Sequence, residues 1–129
     1  MTQPHAIIID DRPDNAGVLA ELLTLENVSH TEIFDPLKLE AVLQKTPRVD
    51  VFFVDLEMPG MDGFSVLDML RNDPRFQNVP VVAYTVHNSE INVAFEQGFH
   101  SFLGKPLDAD SFPDQLARIL RGERIWSAM

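Results

Sequence analysis

The chain has 129 residues, 45% of them hydrophobic, which fits one globular domain with a substantial core. It contains no cysteine, which excludes disulfides, thiol catalysis and cysteine zinc sites. Its formal net charge of −10 argues against nucleic acid or an anionic membrane as a direct partner.

The first predicted elements are a strand and a helix. Residues 6–9 form a β-branched apolar run that predicts a buried strand. This run ends at Asp10, too early for a signal peptide or a membrane span, so we expect a cytoplasmic protein without membrane insertion. Pro13 suits the first turn of a helix, in which Val18 and Leu22 recur at helical spacing.

The middle of the chain repeats this order twice. Residues 29–34 predict a short strand, and a second helix runs from Pro36 to just before Pro47. Residues 49–54 are continuously apolar, which is typical of a strand buried on both faces. A third helix is predicted over residues 63–71.

Two further strand and helix units complete the prediction. Residues 79–84 predict a strand, and the helix after it closes at Gly98. A short strand over residues 101–103 precedes a last helix over residues 108–121, and Trp126 lies in a short tail. Five alternating units predict a parallel sheet with helices on both faces.

Polar side chains lie at the carboxyl ends of four of these strands, where such sheets bind ligands. We therefore expect one composite site that handles phosphate and a divalent cation. Its candidate residues are Asp10, Asp11, Asp55, Thr85 and Lys105.

Each candidate also has a plainer explanation. The carboxylate of Asp55 can attack a phosphoryl group, but a strand-end aspartate can also cap the following loop. Asp10 and Asp11 repel each other unless a cation such as Mg²⁺ lies between them or one of them is protonated. The pair could also serve to cap the helix at Pro13, and Asp10 could do so while Asp11 binds the metal. Lys105 can neutralise charge during phosphoryl transfer and pair with Asp55 at rest, whereas a lone lysine is normally a solvated surface charge.

These residues stand in a familiar order and spacing. The chain resembles the receiver domain of two-component response regulators over residues 5–122, with a short C-terminal tail over residues 123–129. We therefore expect residues 1–129 to be a single receiver domain. The motifs that carry the resemblance are Asp10-Asp11, Asp55 with Met58-Pro59-Gly60-Met61-Asp62-Gly63, Thr85 and Lys105-Pro106.

The resemblance implies a flavodoxin-like (βα)5 fold, a doubly wound five-stranded parallel sheet of order 2-1-3-4-5. It implies that Asp55 accepts a phosphoryl group from a histidine kinase or a histidine phosphotransfer protein, with Mg²⁺ as cofactor. The metal ligands would be Asp10, Asp11, Asp55 and the backbone carbonyl of Glu57. The domain would signal by a conformational switch in its contacts with a downstream protein, without turning over an external substrate.

The family also suggests roles for residues around the site. Thr85 would bind a phosphoryl oxygen, although its β-propensity alone could explain it. Phe102 would be the switch aromatic, or simply a core residue, and Lys105-Pro106 would be a cis peptide. The lifetime of the phosphoryl group would be tuned by Glu57, Val86 and His87.

A partner face is expected on the last two helices and the strand between them. By family analogy it would lie near Phe95, Phe99, Phe102, Arg118 and Arg121.

Three other interpretations remain open. The chain is either a stand-alone regulator or a receiver cut from a multidomain regulator or hybrid kinase, and the sequence fits both. A haloacid-dehalogenase-like phosphatase also uses an aspartyl phosphate, but it requires Asp-x-Asp after its first strand, whereas Asp55-Leu56-Glu57 follows the third. A silent receiver-shaped scaffold would not need the full set of reactive residues.

Overall fold

Strands and helices alternate along the chain in the computed structural model, which describes residues 3–127. The strands are β1 His5–Ile9, β2 Ser29–Ile33, β3 Val51–Val54, β4 Val81–Thr85, β5 Ser101–Gly104 and β6 Trp126–Ser127. The helices are α1 Pro13–Leu25, α2 Leu39–Gln44, α3 Gly63–Arg71, α4 Ile91–Gln97 and α5 Phe112–Leu120. No helix among residues 3–127 is long and apolar enough to cross a membrane.

The strands form one parallel sheet of order β2-β1-β3-β4-β5-β6. The predicted order of the first five strands is confirmed, but the sheet has a sixth strand where the sequence predicted only a tail. Phe102 and Leu103 of β5 pair with Trp126 and Ser127, and the Phe102 amide donates to the Ile125 carbonyl at 2.8 Å. Two residues are too few to show a strand period, so the sequence could not reveal β6.

The last helix is shorter than the sequence predicts. It begins at Phe112 rather than at residue 108 because Asp108 organises a turn instead. The Asp110 amide and the Ser111 hydroxyl both donate to the Asp108 carboxylate, at 3.1 and 2.9 Å. Such local side-chain bonds compete with helical hydrogen bonding.

The sheet separates two apolar layers, and β1 shows how. Ile7 and Ile9 face the layer that contains α2, α3 and α4, whereas Ala6 and Ile8 face the layer that contains α1 and α5. All four are fully buried. Both faces of the central strands are therefore covered, which explains their continuous apolar sequences.

Parallel pairing also brings the carboxyl ends of the strands to one edge. Ile9 pairs with Val54, and Thr85 pairs with Gly104. The residues that follow these pairs include Asp10, Asp55 and Lys105. They leave the sheet at the same edge, as the sequence predicts.

Candidate functional site

Three carboxylates meet beyond β1 and β3. Asp10, Asp11 and Asp55 each offer an oxygen, and these oxygens lie within 4.8 Å of one another. Asp10 is fully buried, Asp55 is 7% exposed, and Asp11 is partly exposed. Charges of one sign this close repel strongly, and a divalent cation would relieve that repulsion. Oxygen ligands of this kind fit Mg²⁺.

Backbone hydrogen bonds place two of these aspartates in line with the sheet. The Asp55 amide donates to the Ile9 carbonyl at 3.0 Å, and the Asp10 amide donates to the Ile33 carbonyl at 3.1 Å. Asp10 Oδ1 then accepts the Arg12 amide at 2.9 Å. This bond turns the chain before α1, so the adjacent acidic residues need not point apart as in an extended strand.

Lys105 is the cation of the cluster, with a side chain only 8% exposed. Its Nζ lies 2.9 Å from Asp10 Oδ2 and 3.6 Å from Asp55 Oδ2. The expected pairing with Asp55 is therefore present, but the shorter contact is with Asp10. The Lys105-Pro106 peptide is cis, as the resemblance implies. The Lys105 amide donates to the Thr85 carbonyl at 2.8 Å.

The surroundings of Asp55 disfavour its ionised form when no metal is bound. Burial is the main cause and raises the pKa of Asp55, and the carboxylates of Asp10 and Asp11 raise it further. Lys105 and the Glu57 amide lower this pKa, without cancelling the effect of burial. A bound cation would favour the charged carboxylate that a nucleophile requires.

A glycine allows the loop after β3 to fold back on Asp55. The Gly63 amide donates to the Leu56 carbonyl at 2.9 Å. A Cβ atom at Gly63 would lie 2.5 Å from the Asp55 carbonyl oxygen and 2.8 Å from Leu56 Cα. The first residue of α3 thus packs directly on the backbone that carries Asp55, and Asp62 caps that helix by accepting the Ser65 amide at 2.9 Å.

An open cleft of about 560 Å³ adjoins the acidic cluster, and Asp11, Glu57 and Met58 are among its lining residues. Glu57 and His87 are in contact nearby, with Oε2 and Nε2 2.9 Å apart. Val86 is 60% exposed beside them in the chain. Of the three clustered carboxylates, that of Asp11 faces this cleft.

Thr85 and Phe102 are both fully buried on neighbouring strands. Thr85 Oγ1 accepts the His87 amide at 3.2 Å, so this hydroxyl is linked to the loop that follows β4. Phe102 lies in the apolar layer below α4. Both residues therefore lie in the interior, on the adjacent strands β4 and β5.

Residues 6–117 match the sequence model of the response regulator receiver domain. The chain belongs to this family. Receiver domains are signalling domains of two-component systems, and phosphorylation and Mg²⁺ are typical of them.

Individual relatives agree with this assignment. Protein RcaC of Microchaete diplosiphon is 32% identical over 124 residues, which are 94% of this receiver domain but 19% of RcaC. Two-component response regulator ORR5 of Oryza sativa subsp. japonica is 27% identical, with 92% and 90% of the two chains covered. The structure of chemotaxis protein CheY4 from Vibrio cholerae shares the fold, with a TM-score of 0.82, 21% identity, and coverage of 92% and 99%.

Sequence reasoning missed one residue of the receiver site. Tyr84 is fully buried, and its hydroxyl donates to Asp10 Oδ2 at 2.7 Å. Burial and the Asp10 carboxylate raise the pKa of Tyr84 well above its usual range, so it remains a protonated donor. The available signal was a tyrosine in the middle of an apolar strand, because a buried phenol needs a hydrogen-bond partner.

The predicted partner face is only partly at the surface. Phe95 is 61% exposed and stacks edge-on against Trp126, with ring centroids 5.2 Å apart. Phe99 and Phe102 are fully buried, so they support this face from below and do not form it. They were expected near a partner by family analogy, which does not tell whether an apolar side chain faces the core or the solvent.

Proposed function

We propose that this receiver domain accepts a phosphoryl group on Asp55 in a Mg²⁺-dependent reaction. The donor would be a histidine kinase or a histidine phosphotransfer protein, and the output a conformational switch in contacts with a downstream protein. The observation that carries the proposal is the meeting of three carboxylates within 4.8 Å, with the buried Lys105 bonded to one and close to another.

The site residues divide the chemistry between them. A carboxylate oxygen of Asp55 forms a bond to phosphorus, while the bond to the leaving group breaks and that group keeps the electron pair. Asp10, Asp11, Asp55 and the Glu57 carbonyl would hold Mg²⁺, which neutralises charge on the phosphoryl oxygens. Lys105 adds a second positive charge, and Thr85 offers a hydroxyl to a phosphoryl oxygen.

The setting of the domain is part of the same proposal. We infer a single receiver domain over residues 1–129, acting in the cytoplasm, where a kinase partner would meet it. Its relatives offer two precedents, because the chain spans about a fifth of RcaC and nine-tenths of ORR5. Both a stand-alone regulator and a module of a larger protein are compatible with the site.

Intact-mass analysis tests the proposal directly. The protein is incubated with acetyl phosphate and Mg²⁺, and we expect the mass of one phosphoryl group to be added. Asp55→Asn should abolish the addition, and so should a chelator of Mg²⁺. Asp68→Asn is the matched control, since Asp68 is exposed on α3. Equal labelling of Asp55→Asn would contradict the proposal.

A further inference from the structure

Tyr84 contacts two groups of the phosphoryl site at once. Its hydroxyl donates to Asp10 Oδ2 at 2.7 Å, and the same oxygen accepts Lys105 Nζ at 2.9 Å. The ammonium also lies 4.3 Å from the centroid of the Tyr84 ring. The ring itself is fixed in the core, edge-on to Phe53 with centroids 6.2 Å apart. One rigid side chain therefore borders both the buried carboxylate and the cation.

Asp10 depends on these donors because it is fully buried. Its Oδ1 accepts the Arg12 amide at 2.9 Å, and its Oδ2 is shared between Tyr84 and Lys105. A buried carboxylate oxygen that loses its partners is costly, more so than a neutral group. If Lys105 moves away from Asp10, Asp10 Oδ2 therefore needs another hydrogen-bond donor that stays in place.

This inference rests on the proposed function, in which phosphoryl transfer draws Lys105 away from Asp10. Lys105 lies nearer to Asp10 than to Asp55, by 2.9 against 3.6 Å, so it must shift its hydrogen bond toward the phosphoryl oxygens. We propose that Tyr84 is a positioning residue that frees Lys105 for this step. Its hydroxyl keeps Asp10 Oδ2 bonded while the ammonium moves.

Tyr84→Phe isolates the hydroxyl. The variant keeps the ring, its packing against Phe53 and an aromatic face below Lys105. It leaves Lys105 as the single donor to Asp10 Oδ2 among the contacts of the described residues, so the ammonium is held more firmly in its resting place. We expect phosphorylation at saturating Mg²⁺ to slow by about tenfold, the scale of one hydrogen bond to a charged group.

A double-mutant cycle separates this role from general support of the fold. The rate of labelling by acetyl phosphate is measured for the wild type, Tyr84→Phe, Lys105→Met and the double variant. If the hydroxyl acts through Lys105, Tyr84→Phe slows the wild type but has no further effect on Lys105→Met. Equal slowing in both backgrounds, or no slowing of the wild type, would overturn the inference.

A packing control tests whether lower stability by itself slows labelling. Leu23→Ala removes buried contacts of α1 in the same apolar layer and should lower the melting temperature without slowing labelling. The outcome for the proposed function is read separately. A wild type that takes up no phosphoryl group refutes that function, and the role of Tyr84 with it, whereas a labelled wild type with an unslowed Tyr84→Phe refutes only the latter.

Discussion

Glu57 and His87 join two loops beside the acidic cluster, with Oε2 and Nε2 2.9 Å apart. Their side chains are 60% and 44% exposed, so this contact contributes little to stability. Its position is what bears on the site. It lies beside the cleft that adjoins the acidic cluster, and Glu57 is among the lining residues of this cleft. We expect the contact to border the path by which water would reach a phosphorylated Asp55.

Val86 should restrict that path and prolong the life of the phosphoryl group. Hydrolysis needs a water in line with the phosphorus–oxygen bond, and valine is bulkier than alanine and stiff at χ1. We expect Val86→Ala to lose phosphate about tenfold faster, a barrier change of roughly 1.4 kcal/mol. The decay of both phosphorylated proteins is followed at saturating Mg²⁺.

Val93→Ala is the matched control, because Val93 is also exposed but lies on α4. It should decay at the wild-type rate. If Val86→Ala decays no faster than wild type, the steric explanation is wrong, and the Glu57–His87 pair becomes the better candidate for controlling the lifetime.

Removal of Asp11 should weaken Mg²⁺ binding. Its carboxylate is the most exposed of the three in the cluster, so it is the one most open to an entering ion. We expect Asp11→Ala to lose about 1 kcal/mol or more of binding free energy, roughly fivefold in affinity. Calorimetric titration measures the change, with Asp14→Ala, an exposed residue in the first turn of α1, as control. An unchanged affinity would exclude Asp11 as a ligand.

Asp55→Asn should stabilise the metal-free protein in a pH-dependent manner. Burial raises the folded-state pKa of Asp55 above its ordinary value of 3.8. The folded protein therefore holds the Asp55 proton more tightly than the unfolded chain does. The resulting contribution to the free energy of unfolding is complete below that ordinary value and is lost as the pH rises through the folded-state pKa. At neutral pH we expect Asp55→Asn to be more stable by about 1 kcal/mol, or a few degrees in melting temperature.

Thermal unfolding of both proteins, measured without metal from about pH 3 to neutral, checks the sign. The difference should vanish at the acid end. Adding Mg²⁺ at neutral pH should raise the melting temperature of the wild type more than that of Asp55→Asn. A constant difference at every pH would mean that the substitution acts through packing and not through charge.

Thr85→Ala should separate phosphorylation from signalling. A phosphoryl group shifts a two-state equilibrium only through contacts that differ between the states, and the Thr85 hydroxyl can provide such a contact. We expect the variant to accept phosphate but to lose most of the change in amide exchange in α4 and α5. Thr24→Ala, whose hydroxyl bonds within α1, should respond as wild type does. A full response in Thr85→Ala would show that coupling to Phe102 takes another route.

The sequence predicted the features that depend on residues close together in the chain, such as the positions of strands. Continuous apolar runs located β1 and β3, because strands covered on both faces have no polar side. The edge of the sheet at which Asp10 and Asp55 meet followed from parallel pairing alone. These features need no knowledge of which distant side chains touch.

What the sequence could not predict depends on distant contacts. The hydroxyl of Tyr84 finds its partner 74 residues away at Asp10, and no local pattern marks that pairing. Lys105 Nζ lies 2.9 Å from Asp10 Oδ2 and 3.6 Å from Asp55 Oδ2. The sequence cannot predict so small a difference between two distances. Sequence motifs predict that such side chains lie near one another, but not which pairs form hydrogen bonds.

Strand β6 covers part of an edge that β5 would otherwise expose. Without it, β5 would present an open row of amide and carbonyl groups on which another chain could add a strand and begin to aggregate. Within the described residues, Trp126–Ser127 pairs with Phe102 and Leu103 and so covers the centre of this edge. The opposite edge, β2, carries the polar side chains of His30 and Glu32. An incoming strand can therefore pair with Phe102 and Leu103 of β5 only after Trp126–Ser127 has left.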